Sequence, residues 1–478
     1  MIKVYFDWNV MAQMKNGLHP ELKEIAFQND NLFKPYSTSH ISDIFSSFKE
    51  NDGQSELINK DLDFISSFTH DTFLFNNGKD IIIDFAPPKE YYNQLVEEKD
   101  QFKDISIDGL FKNLEDDEFT RDLVKPFLNL LKAIPLDDIF KESFENPQSA
   151  EQMETLFPGL KENQTMEGFF QSFSAMFKGL NEDEKYKDLR KIVQTGLGIN
   201  RDKIYDNKSP FNLIQSQYKQ LGQDKAQHGS NDKNAPKWFN EISNEYILLD
   251  MHGYQEDNVN VLKGRKETFK NTTEDAFHAA FASTCNFYVI NDKKAYKKTK
   301  QVFEKLRINT IVLKPHEFVK YYKDYLDFKD PSLNISIPFQ LLQNGEFYEE
   351  QLESARLRTY YFPFFIFGFF TKLMLLLPEN EEPPILLLSR IKPTNGTTYI
   401  LEITKLAKDI TNVLGNDIGG LGEVKEKEFE EDNWVGRSWK IENTTFRLTN
   451  LNGHFQLYIN QEESQQATSG FAQVGQTE

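Results

Sequence analysis

Two short apolar runs are each closed by an aspartate and followed at once by helix-forming residues, and this pairing limits the possible folds more than any other feature. Residues 2–6 (IKVYF) read as a β-strand, Asp7 stands at its carboxyl end, and residues 9–14 can begin a helix. Residues 287–290 (FYVI) are too short and too rich in β-formers for a helix, and Asn291 and Asp292 end the run. In open α/β sheets ligands gather outside the carboxyl ends of the strands, so Asp7 and Asp292 are candidates for chemistry.

Two further aspartates join them. Thr272 or Thr273 can cap a helix that carries Ala276, Phe277, Ala279, Ala280 and Phe281 as small or apolar packing residues, which puts Asp275 in its first turn. Asp43 lies beside a helical face of Ile41, Ile44, Phe45 and Phe48, after the entry Pro35-Tyr36-Ser37-Thr38. Taken singly, each is explained equally well as a helix cap or a loop acid, and Asp275 as a partner of the helix dipole. Taken together, four carboxylates in one pocket would repel and raise one another's pKa values, an arrangement that makes most sense with a cation present. Clustered oxygen ligands suit Mg²⁺ or Mn²⁺, and such a site can activate water and stabilise a leaving oxygen during phosphodiester hydrolysis.

The charge pattern bears on the substrate. The net charge of -19 repels bulk nucleic acid, so a polyanion must be met by a local basic patch or by metal. Lys263, Arg265 and Lys266 precede Asp275, and Lys293, Lys294 and Lys297 follow Asp292, so they form a candidate nucleic-acid approach. A solvated helix face explains such runs equally well. Histidine offers a competing site, since His40 with Asp43 and His278 with Asp275 have i, i+3 spacing; a supporting or core role suits both better, and without a Cys/His cluster no zinc site is expected. No Gly-x-Ser-x-Gly elbow and no phosphate-binding Gly-x-x-x-x-Gly-Lys loop is present.

At 478 residues the chain exceeds one ordinary core. The pattern predicts an α/β domain in two parts, residues 1–85 and 238–327, with a helical insertion over residues 86–237 between them. An α+β domain over residues 331–460 and a disordered tail over 461–478 follow. Within the α+β domain, residues 346–358 read as an amphipathic helix, and residues 384–391, 397–403, 434–441, 445–451 and 454–459 as strands. Residues 360–377 (YYFPFFIFGFFTKLMLLL) are apolar enough to test as a membrane span, but Pro363, Gly368 and Lys372 interrupt them, which favours a buried core helix. One cysteine excludes an internal disulfide, and the opening residues lack both a basic segment and a continuous apolar one, so a cytoplasmic protein is expected.

The D-x-N start at Asp7 and Asn9, the Ser/Thr-rich entry to Asp43, TEDAFHAAFA around Asp275 and the VINDKK turn at Asp292 resemble the PIN-domain nucleases. The resemblance covers about residues 1–85 and 238–325. It implies a parallel-sheet α/β fold that cuts RNA, less often DNA, with Mg²⁺ or Mn²⁺. It also implies catalytic and metal-holding roles for Asp7, Asp43, Asp275 and Asp292, with Asn9, His278 and Asn291 in support. This sequence departs from the family pattern in carrying Asp43 where glutamate is commoner and Ile290 where threonine often precedes the last acid. Two functions follow as expectations: a metal-dependent endoribonuclease whose residues 331–460 meet a partner or trigger, or a non-catalytic binding or assembly protein on a degenerate PIN scaffold.

Overall fold

The computed structural model describes residues 1–29, 31–46, 54–98, 137–182, 185–220, 235–256, 269–327, 330–380, 383–391, 398–429, 434–451 and 453–461. They form two compact units, one of residues 4–18 and 34–314, the other of residues 1–3, 19–33 and 315–478.

The elements run β1 (Ile2–Phe6), α1 (Trp8–Lys15), α2 (Pro20–Gln28), β2 (Leu32–Phe33), β3 (Tyr36–Ser37), α3 (Thr38–Ser46), α4 (Gln54–Thr69), β4 (Thr72–Asn76), β5 (Ile81–Phe85) and α5 (Pro88–Glu98). A helical segment follows: α6 (Asp137–Glu145), α7 (Pro147–Leu156), α8 (Met166–Glu182), α9 (Lys185–Gly196), α10 (Arg201–Ile204) and α11 (Pro210–Gln220). Then come α12 (Lys237–Met251), α13 (Phe269–Ala282), β6 (Phe287–Val289), α14 (Lys293–Lys305), β7 (Ile311–Leu313) and α15 (Pro315–Tyr321).

The parallel sheet has the order β2-β1-β6-β7. Val4, Tyr5 and Phe6 pair in parallel with Phe287, Tyr288 and Val289, and β6 pairs likewise with β7. All five residues of β1 and all three of β6 are buried, which is why the two runs do not alternate; Lys3, the one charged residue in them, is paired with Glu402 at 2.7 Å. The Asp7 N–H donates to the Val289 carbonyl at 2.9 Å, so the ladder continues to the aspartate itself. A separate sheet, β3-β4-β5, is mixed, and the helical segment belongs to the same compact unit as β6 and β7. The core of that unit packs Tyr5, Tyr246 and Tyr288 with Ala276, Ala279, Ala280 and Phe281 of α13, whose small residues allow close approach to the strands. One expectation shifts: α13 begins at Phe269, so Thr272 and Thr273 lie inside the helix and Asp275 in its second turn.

The other unit holds α16 (Leu333–Asn344), β8 (Tyr348–Gln351), β9 (Ala355–Ile366), β10 (Phe370–Pro378), β11 (Ile385–Ser389), α17 (Tyr399–Leu414), β12 (Arg437–Ile441), β13 (Thr444–Leu451) and β14 (His454–Gln461). The strands form one antiparallel sheet in the order β12-β13-β14-β11-β10-β9-β8. Ile403, Leu406, Ile410 and Leu414 of α17 pack with Leu373, Leu388, Leu457, Leu448 and Trp439 of the sheet. Three expectations are corrected here. Residues 360–377 form a hairpin of β9 and β10 rather than a core helix, turning through Phe367 and Gly368 at φ 52° and 60°. The Phe367 N–H is held at 2.5 Å by the Asn334 side-chain oxygen, which keeps a bulky residue in the left-handed region. Residues 346–358 supply β8 and the start of β9 rather than a helix, and of the strand expected over 397–403, residue 397 lies outside the described residues while 399–403 begin α17. No helix among the described residues is long and apolar enough to cross a membrane.

Candidate functional site

Asp7 and Asp292 cap the helices that leave two adjacent parallel strands. Asp7 Oδ2 accepts the Asn9 N–H at 3.3 Å, and Asp292 Oδ1 accepts the Lys294 and Ala295 N–H groups, each at 2.8 Å. The strand end beside them is pinned by polar side chains. Lys314 donates to the Asn291 and Asp292 carbonyls at 2.8 Å, Asn291 donates to Gln13 at 2.9 Å, and Gln13 donates to Asn9 at 3.3 Å. Asn9 and Asn291 thus meet through Gln13.

Asp43 and Asp275 reach the same neighbourhood from helices. His278 stands three residues after Asp275 on α13, and its Nε2 donates to Asp43 Oδ2 of α3 at 3.1 Å. Ser42 donates to Glu274 at 2.5 Å and joins the same two helices a second time. The His278 Nδ1 meets the Tyr5 hydroxyl at 2.8 Å, two residues before Asp7 on β1. Tyr288, the register partner of Tyr5, donates to Asp7 Oδ1 at 3.4 Å, and Tyr246 of α12 donates to Asp275 Oδ2 at 3.4 Å.

Behind the acids lies a buried polar cluster of defined polarity. The Ser37 N–H donates to His40 Nδ1 at 2.9 Å, so that nitrogen is unprotonated and Nε2–H donates to the Phe6 carbonyl at 2.7 Å. The Tyr5 hydroxyl also contacts Ser37 Oγ at 2.6 Å and His40 Nδ1 at 3.3 Å. Burial and the nearby His278 hold His40 well below the ordinary imidazole range. His278 behaves oppositely: burial opposes its charge, but the hydrogen bond and charge of Asp43, with Asp7 and Glu274 beyond, raise it to about 9.

Asp7 and Asp275 feel the charges of the other aspartates. Burial raises Asp7 to about 6, with Asp43 and Asp292 adding to the shift and His278 opposing it. Asp275 is raised well above the ordinary carboxylate range by burial, then by Asp7, Asp292 and Asp43, against the pull of Lys298. Asp275 and Asp292 are nevertheless exposed as residues, Asp43 is half-buried and Asp7 is buried, so two of the four acids are accessible to solvent. Among the described residues, no three His, Cys, Asp or Glu side chains stand close enough to hold one ion between them.

The basic residues divide. Lys293 is exposed; Lys294 is half-buried, and burial with the neighbouring Lys298 lowers its amine to about 8; Lys297 pairs with Asp206 at 2.5 Å. Lys263, Arg265 and Lys266 lie outside the described residues. Sequence reasoning passed over Tyr5, Tyr246, Tyr288, Gln13, Lys298 and Lys314. A usable signal was present for two of them: Tyr5 and Tyr288 interrupt otherwise apolar strands, and a buried tyrosine hydroxyl requires a polar partner. No protein-family profile, curated protein or solved structure matches this chain.

Proposed function

We propose that the chain is a metal-dependent endonuclease of PIN type, acting on RNA rather than DNA, with Asp7, Asp43, Asp275 and Asp292 as its metal-holding and catalytic acids. The observation that carries this reading is that Asp7 and Asp275 are both raised by burial and by the charges of Asp43 and Asp292, the four coming from different elements near the ends of β1 and β6. Such mutual repulsion is relieved by a cation, and an all-oxygen donor set selects a hard one, Mg²⁺ or Mn²⁺. Mg²⁺ keeps several of its waters and is commonly held by only one or two carboxylates, so three ligands in mutual contact are not required.

When bound, the ion supplies an acidified water and a positive charge for the phosphodiester oxygens. The protein's own residues do the rest. Asp292 Oδ1 is committed to the helix cap, which fixes the direction of the whole carboxylate. His278 orients Asp43, while Tyr288 and Tyr246 orient Asp7 and Asp275. Lys293 and Lys294, one and two residues beyond Asp292, are placed to meet phosphates. The antiparallel-sheet unit is assigned to recognition of a partner or trigger, and the setting is taken as cytoplasmic.

The test is cleavage by the purified full chain of single-stranded RNA, structured RNA and DNA with Mg²⁺ or Mn²⁺. Asp7→Asn and Asp292→Asn should each lose at least ~100-fold in rate while the fold is retained. Equal cleavage by wild type and both variants would assign the activity elsewhere. No cleavage, together with Mn²⁺ binding no tighter in wild type than in Asp7→Asn, would leave the binding-scaffold reading in its place.

A further inference from the structure

Asp250, on α12, is fully buried and accepts hydrogen bonds from three other helices. Its Oδ2 takes the Tyr186 hydroxyl at 2.7 Å and the Arg190 guanidinium at 3.1 Å, both from α9 of the helical segment. The same oxygen takes the Thr272 hydroxyl of α13 at 3.2 Å, and Oδ1 takes the Lys298 ammonium of α14. The Arg190 guanidinium lies over the Tyr186 ring at 4.9 Å, so the two α9 residues form one block against the carboxylate. Burial opposes the charge of Asp250, yet Lys298 and Arg190 outweigh it and hold the carboxyl at about 2.

These partners are placed with respect to the acids. Thr272 is one turn ahead of Asp275 on α13, and Lys298 is on the helix that Asp292 caps. Lys298 also lies over the Tyr246 ring at 5.6 Å, and the Tyr246 hydroxyl is the one that meets Asp275. Two routes therefore run from Asp250 to Asp275 and one to Asp292, and all start from a carboxylate whose other partners belong to α9.

We infer that Asp250 is a positioning residue through which Tyr186 and Arg190 of the helical segment set the placement of the helices carrying Asp275 and Asp292. The helical segment is then a working part of the acid site and not an independent appendage. A buried anion shared by two cations and two hydroxyls has few alternative arrangements, because any departure strands a charge away from water. Loss of one α9 partner is felt by the others, which must re-form around the same carboxylate. The consequence for metal affinity rests on the nuclease reading, whereas the placement of α13 and α14 does not.

The experiment compares the full-length wild type with Tyr186→Phe, Arg190→Gln and Arg190→Lys by amide hydrogen exchange and by Mn²⁺ titration. In Arg190→Gln the amides around Thr272 to His278 and at the start of α14 should exchange about tenfold faster, with those of β1 and β6 unchanged. Tyr186→Phe, which keeps the ring and removes one hydroxyl, should show the same pattern more weakly, and Arg190→Lys should restore most of the protection. Mn²⁺ affinity should fall about tenfold in Arg190→Gln and recover in Arg190→Lys. Faster exchange spread evenly over the unit, or none in the folded Tyr186→Phe variant, would overturn the inference by reducing Asp250 to a general stability element. Loosened α13 with unchanged Mn²⁺ affinity would overturn the helical segment's part in the acid site and leave the placement of α13 standing. If the wild type takes up no Mn²⁺, the nuclease reading fails, and the exchange pattern alone decides the placement.

Discussion

Asp7 shows what a buried carboxylate costs the fold that keeps it. Its folded value of about 6 lies above the ordinary 3.8, so the folded state holds the proton more tightly than the unfolded one. Above about pH 6 both states are ionised and the fold carries the full penalty; below about pH 4 both are protonated and the penalty is gone. Asp7→Asn can preserve the cap through its one amide oxygen, since Asn serves an N-cap as well as Asp, and the Tyr288 hydroxyl, which donates to the other oxygen of Asp7, can turn to accept from the amide NH2 that replaces it. The variant should therefore be more stable than wild type at pH 7.5, by at most about 3 kcal/mol, with the difference fading as pH falls from 6 to 4. Metal-free melting curves across that range are the check. A variant less stable than wild type at pH 7.5 would mean that burial does not penalise the charge as the surroundings require.

Elements were legible in the sequence where each residue had one environment. Strands β1 and β6 are buried on both faces, so their mostly apolar runs do not alternate; shortness and β-forming residues marked them as strands, and the aspartate after each marked the end. The hairpin of β9 and β10 escaped for the opposite reason. Met374 and Leu376 lie in the rows that alternate with the core-facing Leu373, yet they are half-buried and apolar, so the period of two is erased and the run passes for a helix. The turn itself was hidden because Phe367 holds a left-handed conformation that sequence favours for Gly or Asn, and the distant Asn334 side chain, which accepts its N–H, helps to hold it there. Gly436, which leads into β12, is a clearer case of geometry imposed on a residue. Its φ is +85°, and a Cβ there would stand 2.3 Å from the Leu448 carbonyl oxygen, a backbone atom of the paired strand that cannot swing aside. Gly436→Ala should cost at least about 2 kcal/mol, read as a lower denaturant midpoint for the antiparallel-sheet unit. Gly196→Ala, at the end of α9 with nothing within 4 Å of its new Cβ, should change stability by less than about 1 kcal/mol in either direction.

For the molecule as a whole, a net charge of -19 sets a limit on how nucleic acid can be held. Long-range attraction is absent, so binding must come from the few cations beside the acids and from metal. Of the described ones, Lys297 is drawn toward Asp206 and Lys298 toward Asp250, whereas Lys293 is exposed and Lys294 half-buried directly after Asp292, so these two are the positions to test for phosphate contact. Each neutralised phosphate of a single strand contributes about -0.7 to the slope of log affinity against log salt. With two or three such contacts, Asp292→Asn, chosen to bind RNA without cutting it, should show a shallow slope of roughly -1.5 to -2 in monovalent salt. Lys293→Glu with Lys294→Glu should weaken binding at low salt and bring the slope toward zero, while replacing Lys297 should do less. A slope steeper than about -5 would require a much larger basic surface than these residues provide and would move the nucleic-acid path away from the start of α14. Binding that ignores salt would remove phosphate recognition, and with it the assignment of RNA as the substrate.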